Sequence, residues 1–256
     1  MKNMSIFRNG IRNTLFLLPI LVGMMVTTYS YLLMPKYEED TFGVLIATIG
    51  SLNINTIFLI IPVFAYSLPF VSFIMITGDL IYKDYVDMGM LILPRLQKKK
   101  RWFFNSVKEL SIFSGLFLLL IFFSSTLMNI YFGYQFKMDS VYEIITLFLL
   151  MFFFFLTSSM ISNLICFATR SGLGYVFVIT FYFLSIFLSG FLYEWAPSYL
   201  KIIPWLPTTH SLLTWHSGYE TSFLNFPLWF SFIYLLVGFT IVSIVLYTIM
   251  QRYENL

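Results

Sequence analysis

Side chains equipped for acid, base or metal chemistry are few in this sequence and stand far apart. There are two histidines and one cysteine in 256 residues. His210 and His216 are six positions apart, which does not stack them on one face of a helix, and no other strong ligand lies between them. A zinc-type site needs three or four ligands, so the plain reading is a hydrogen-bonded or exposed pair. Glu38, Glu39 and Asp40 form a run of carboxylates with no histidine near enough to work with them, as in a solvated loop. Cys166 is alone, which excludes an intrachain disulfide, and packing is its simplest role. No glycine is followed by lysine, so the chain has no phosphate loop of the GxxxxGK[ST] type. HExxH and GxSxG are missing too. The sequence therefore predicts no catalytic set, no metal and no cofactor held by this chain: a protein that is not itself an enzyme.

What the sequence does hold is apolar surface. Hydrophobic residues make up 59% and charged residues 11%, with a mean hydropathy of +0.85. A soluble chain of this size needs a polar outer shell, which this composition does not supply. About 20 apolar residues are needed to cross about 30 Å of hydrocarbon as a helix. Six runs meet that need: 14–34, 56–78, 111–131, 144–167, 173–193 and 227–250, none with Asp, Glu, Lys or Arg. They are continuous and twice the length of a barrel strand. The expectation is one all-α, polytopic membrane domain over 1–256 with six transmembrane helices.

The cations orient it. With the N-terminus inside, six spans return the C-terminus inside. The inner segments then hold twelve of the fifteen Lys and Arg residues; only Lys36, Lys137 and Lys201 fall outside. That asymmetry fits the positive-inside rule. It also accounts for a pI near 8.8 without nucleic acid. The first run is longer than a secretion-signal core, and no A-x-A-like site follows it. Residues 1–13 alternate apolar and basic positions as in an amphipathic helix lying in the headgroup layer. Residues 42–52 are apolar but too short to span; they lie at the outer interface or line a cavity. Pro62 and Pro69 favour kinks in the second span. Asp79, Lys83 and Asp87 fall on one helical face with signs that pair. The long connection 194–226 carries Trp195, Pro204, Trp205, Pro207 and Trp215, too apolar for a free loop. It predicts short re-entrant or interfacial helices broken around Pro204 and Pro207, with the tryptophan rings at headgroup level, acting as an outer gate.

Ion-coupled carriers keep ionisable groups inside the membrane, and these spans hold none. If the protein transports, the energy comes from another chain. Between the second and third spans stands DYVDMGMLILPRLQKKKRWFFNSVKEL, 84–110. Its order of acidic residues, glycine, apolar stretch, proline and basic residues resembles the cytoplasmic coupling segment of type-2 ATP-binding-cassette permeases of the export class. The stretch 95–102, RLQKKKRW, is similar to small permeases of Gram-positive bacteria linked to peptide or bacteriocin export and immunity. The topology fits the same family over the whole chain.

The resemblance implies that Asp84, Asp87, Gly89, Leu91, Pro94 and Arg95 dock on an ATPase. Lys98, Lys99, Lys100 and Arg101 are the inner-surface anchor, since anionic lipid attracts each cation by about 1 kcal/mol near the surface. It further implies two ATPase subunits holding ATP and Mg, a second permease chain (identical or homologous), a peptide-like substrate, and a bacterial cell membrane with both termini cytoplasmic. The alternative class is a non-transporting immunity or scaffold protein of the membrane.

Overall fold

The computed structural model describes residues 11–33, 41–54, 57–89, 99–135, 141–217, 224 and 226–252. Eight α-helices form among the described residues: α1 Ile11–Leu33, α2 Thr41–Ile49, α3 Ile60–Thr77, α4 Leu80–Gly89, α5 Lys99–Tyr131, α6 Val141–Thr169, α7 Gly174–Trp195 and α8 Leu228–Arg252. Three short 3-10 helices, Pro197–Trp205, Pro207–Ser211 and Leu213–Trp215, join α7 to α8. No strand forms among the described residues.

Among the described residues, five helices are long and apolar enough to cross a membrane: the α3–α4 stretch over Ile60–Val86, and α5, α6, α7 and α8. The first expected span coincides with α1, whose apolar part Leu17–Leu32 is shorter. Exposed apolar side chains recur at helical spacing along α7 (Phe177, Phe181, Leu184, Leu188, Phe191) and α8 (Ile233, Leu236, Val237, Ile241, Ile244). Such continuous stripes suit hydrocarbon rather than water.

The helix that carries the third expected span starts well before 111. Nothing in KKRWFFNSVKEL breaks a helix, and α5 runs 33 residues, about 50 Å. That exceeds the hydrocarbon thickness, so a polar first section projects beyond it. Lys99, Lys100 and Arg101 thus open a helix rather than sit in a loop. Pro62 also differs from expectation. It falls in the first turn of α3, where no intrahelical N–H donor is required, and only Pro69 is internal.

α6 is the hub of the bundle, packing against α3, α5, α7 and α8, while α1 lies along α5. Close approach depends on small residues. A Cβ on Gly23 of α1 would collide with Ser124 of α5, and Ser125 Oγ donates to the Gly23 carbonyl at 3.2 Å. One aromatic core fills the middle, built around Phe70, Phe73, Phe117, Phe154 and Phe155. A second cluster, with Ile81, Tyr85, Phe103, Leu110, Phe167, Leu246 and Met250, gathers α4, the start of α5 and the ends of α6 and α8. Those segments therefore share one end of the bundle. At the other end, Thr41 accompanies Gln135, and Trp215 reaches Leu52.

Candidate functional site

Two polar constructions stand out in this apolar molecule, one at each end. The first joins α3 to α4. Thr77, Gly78 and Asp79 carry the chain from one helix into the next, and this break exposes backbone groups that have no intrahelical partner. Asn163 of α6 satisfies them from the side. Its Oδ1 accepts from the N–H groups of Ile81 (2.9 Å) and Tyr82 (3.1 Å). Its Nδ2 donates to the carbonyls of Thr77 (3.0 Å) and Ser159 (2.9 Å). Ser159 Oγ adds a bond to the Thr77 carbonyl at 3.1 Å. Gly78 is needed here because a Cβ would lie 2.7 Å from Ser162 Oγ and from Tyr175 Cβ. Gly174 is held as tightly: a Cβ there would collide with the Ser162 carbonyl. Cys166 is buried at the same contact, its Sγ accepting from the Gly174 N–H at 3.3 Å, which agrees with a packing role.

Beyond this joint, the expected pairing of Asp79 with Lys83 is present at 2.8 Å. Tyr85 meets Trp102 and Phe167 edge-on, so the apolar side of α4 rests on α5 and α6. Asp84 is half-buried. Asp87 and Gly89 belong to the last turn of α4. Leu91, Pro94, Arg95 and Lys98 lie outside the described residues, as does the expected amphipathic helix of 1–13 up to residue 10. Lys99 opens α5. Lys100 and Arg101 are exposed in its first turn, with Lys100 6.0 Å from the Phe104 ring centre. Cations at a helix N-terminus are disfavoured by the helix dipole, so Lys99, Lys100 and Arg101 do not stabilise the start of α5 through it.

The second construction is the connection from α7 to α8. Leu206 is extended, as a residue before proline prefers, and separates the first two 3-10 pieces. The break thus falls between Trp205 and Pro207, with Pro204 inside the first piece. The first piece packs back along α7, and Pro207 and Thr208 come to line one cavity with Phe181 and Tyr182. Tyr182 is thirteen residues, about 20 Å, back from the end of α7 at Trp195. The chain therefore returns deep between the helices.

There, Thr208, Thr209, His210 and Ser211 are all buried. Tyr66 of α3 bonds Ser211 Oγ at 3.1 Å, and Tyr234 of α8 donates to the Trp205 carbonyl at 3.0 Å. His210 stacks on Tyr234 at 4.1 Å. The two histidines converge on Ser231: His210 Nδ1 at 2.7 Å and His216 Nε2 at 2.6 Å. His216 Nδ1 faces the carbonyls of Leu212 (2.9 Å) and Leu213 (3.1 Å). Carbonyls only accept, so Nδ1 of His216 carries the proton and its Nε2 accepts from Ser231. A hydroxyl has one proton, so His210 Nδ1–H donates to Ser231. His210 Nε2 makes no hydrogen bond among the described residues.

Burial lowers His210 to about 3; the nearby His216 adds to the shift, and the Pro204 carbonyl, which can accept only from the protonated ring, opposes it. Burial lowers His216 to about 4 against the Leu213 and Leu212 carbonyls. Both rings are neutral at pH 7. Both rings are buried and hydrogen-bonded rather than exposed, the two alternatives the spacing left open.

Of the expected gate residues, Trp195 and Trp205 are exposed. Trp215 differs. It is buried, and its Nε1 donates to the Leu52 carbonyl at 2.8 Å. A buried indole N–H needs a hydrogen-bond partner, and the Leu52 carbonyl supplies it. Asn163 and Ser231 were missed from sequence, although each is a polar residue inside an apolar run, the usual sign of interhelical bonding.

No protein-family model, curated protein or solved structure matches the chain.

Proposed function

We propose that this chain is the membrane-spanning permease subunit of an ATP-driven exporter of the type-2 ATP-binding-cassette class, moving amphipathic or hydrophobic peptides out of the cell or its membrane. Two six-span chains work with two ATPase subunits, which hold the ATP and Mg. The observation that carries this reading is α4. It is a short helix between two long apolar ones, at the end of the bundle where the basic start of α5 also lies. Asn163 and the Tyr85 contacts tie it to the bundle, so a push on α4 reaches α3 and α6 without being absorbed by a slack loop. A lever of that kind suits force delivered by a separate ATPase. α1 is counted as the sixth span.

Two further features support the same reading. The basic start of α5 and the segments 41–54 and 197–217 lie toward opposite ends of the bundle, and the basic end is taken as the inner one under the positive-inside rule. The 3-10 segment that returns beside α7 then acts as a re-entrant outer gate, since irregular backbone at membrane depth must be buried in protein or line a cavity.

The test is purification of the full chain from its native membrane with its associated proteins. An ATPase subunit should co-purify, and its peptide-stimulated hydrolysis should fall in the Asp84→Ala, Asp87→Ala double variant while membrane insertion stays normal. Absence of any nucleotide-binding partner would instead favour the immunity or scaffold class.

A further inference from the structure

One face of α5 changes character along its length. Ile112, Leu116, Leu119, Phe123 and Leu127 are exposed at helical spacing. Continued toward the start of the helix, the same row holds Lys108, Phe104 and Lys100, all exposed, with Arg101 beside them. The other side of the helix is buried over the same length, at Phe103, Leu110, Phe113 and Phe117. The apolar part of the row matches one lipid leaflet. Ile112 to Phe123 rises about 17 Å, against roughly 15 Å for half of a 30 Å hydrocarbon core. Lys108 then stands one turn, about 6 Å, beyond Ile112, which is headgroup depth, and Phe104 and Lys100 follow at further single turns.

The charges on this row are not spent within the chain. Lys100, Arg101 and Lys108 form no ion pair among the described residues. Glu109 is half-buried, about 100° round the helix from Lys108. Phe104 lies between the cations with 58% of its surface exposed, and Lys100 Nζ stands 6.0 Å from its ring centre. Lys and Arg lay their carbon stems on apolar surface and keep the charge in polar surroundings, an arrangement favoured at membrane interfaces. The row therefore fits a neighbour that is apolar over one leaflet and negatively charged just beyond it. An anionic phospholipid has both parts in one molecule. A soluble anion lacks the apolar part, and a zwitterionic lipid carries its own cation. An acidic protein surface would not continue into the hydrocarbon row.

We propose that this row binds one anionic phospholipid. Its acyl chains lie on Ile112, Leu116, Leu119 and Phe123, its phosphate meets Lys108 Nζ, and Phe104, Lys100 and Arg101 close over the headgroup. The anchor expected from sequence was the run Lys98 to Arg101 acting on the membrane surface as a whole. The helix replaces it with a discrete site that includes Lys108 and Phe104 and has a defined place for the chains. The site rests on the membrane placement of α5 but not on ATP-driven transport, so failure of the ATPase experiment leaves it untouched.

The experiment titrates the full chain, in a non-ionic detergent, with phosphatidylglycerol or phosphatidylcholine of identical acyl chains, and native mass spectrometry counts the bound lipid. The first phosphatidylglycerol should bind more tightly than the first phosphatidylcholine. Lys108→Gln should weaken phosphatidylglycerol about five-fold, the effect of one cation near a headgroup, and leave phosphatidylcholine unchanged. The triple variant Lys100→Gln, Arg101→Gln, Lys108→Gln should lose the preference, whereas Lys201→Gln, in the first 3-10 piece, should keep it. A second arm uses the wild-type chain alone. Phosphatidylglycerol with a diazirine in its acyl chain should cross-link to α5 within 112–123 and be displaced by unlabelled phosphatidylglycerol, not by equal phosphatidylcholine. Equal affinity of the wild type for the two lipids would overturn the site and leave the cations to an acidic protein surface. A preference that survives the triple variant would overturn it too, as would cross-links spread evenly over α5, α7 and α8.

Discussion

Asn163 Oδ1 accepts the backbone N–H of Ile81 at 2.9 Å across 82 positions of sequence. One side chain on α6 thereby caps the start of α4 while its amide nitrogen holds the end of α3. Helices usually cap themselves locally with Ser, Thr, Asp or Asn. Here the cap comes from a neighbouring helix, so the join of α3 to α4 depends on its contact with α6.

Replacing Asn163 with leucine should be costly. The Ile81 and Tyr82 N–H groups and the Thr77 carbonyl would lose a partner inside a buried joint. The expected destabilisation is about 2–4 kcal/mol, read as a lowered thermal midpoint in detergent. Amide exchange should rise first over 79–86. Asn163→Asp keeps the acceptor and should show a smaller loss of protection at Ile81 than the leucine variant. Equal exchange in all three proteins would mean that α4 is held by its apolar contacts alone.

Gly174→Ala tests the helix contact beneath the joint. The added Cβ meets the Ser162 backbone, which cannot swing aside as a side chain would. Overpacking of this kind costs about 1–3 kcal/mol. Gly115→Ala, whose nearest neighbour would be Phe152 at 3.8 Å, is the matched control and should be close to neutral.

Ser231→Ala removes the hydroxyl that both histidines share. His210 Nδ1 and His216 Nε2 would each lose a partner while still buried. A loss of about 1–3 kcal/mol is expected, confined to the segment 207–216. Faster amide exchange over 207–216, with no change over 79–86, is the checking measurement.

The same segment should respond to acid. Both histidines are held below their usual 6.5, to about 3 and about 4, by burial. When the segment detaches, each ring regains its ordinary affinity for a proton. The stability this provides is complete above about pH 6.5, declines as pH falls from there, and is gone once pH passes through about 4 and then 3. At pH 5 the loss is on the order of 1–2 kcal/mol for each ring. Exchange over 207–216, corrected for intrinsic rate, should therefore rise between pH 7 and 5. His216→Gln should flatten part of that rise, and a profile unchanged by pH would contradict neutral, buried rings.

Sidedness can be read directly. Lys36→Cys and Lys99→Cys, each in a Cys166→Ser background, should react with a membrane-impermeant thiol reagent from opposite faces, Lys36→Cys from outside. Reaction of both from one face would remove the inner and outer assignment.

Much of this protein follows from its sequence alone, because a span is a local property. Twenty apolar residues without a charge form a helix in hydrocarbon whatever surrounds them, since every backbone group must be paired within the segment. The five long helices therefore sit close to the expected runs, and Leu206 breaks the 3-10 segment where Pro207 requires. The pairing of Asp79 with Lys83 was legible for the same reason, being one helical turn apart. Tertiary structure decided what lies across the chain. Nothing in the neighbourhood of Asn163 says that Ile81 needs an acceptor, and nothing near His216 announces Ser231 or sends Trp215 to the Leu52 carbonyl. Those partners are fixed by which helices pack together. In an apolar chain that choice rests on a few small residues and buried hydrogen bonds, such as Gly174 against Ser162, rather than on the hydrophobic pattern, which is nearly uniform along every span.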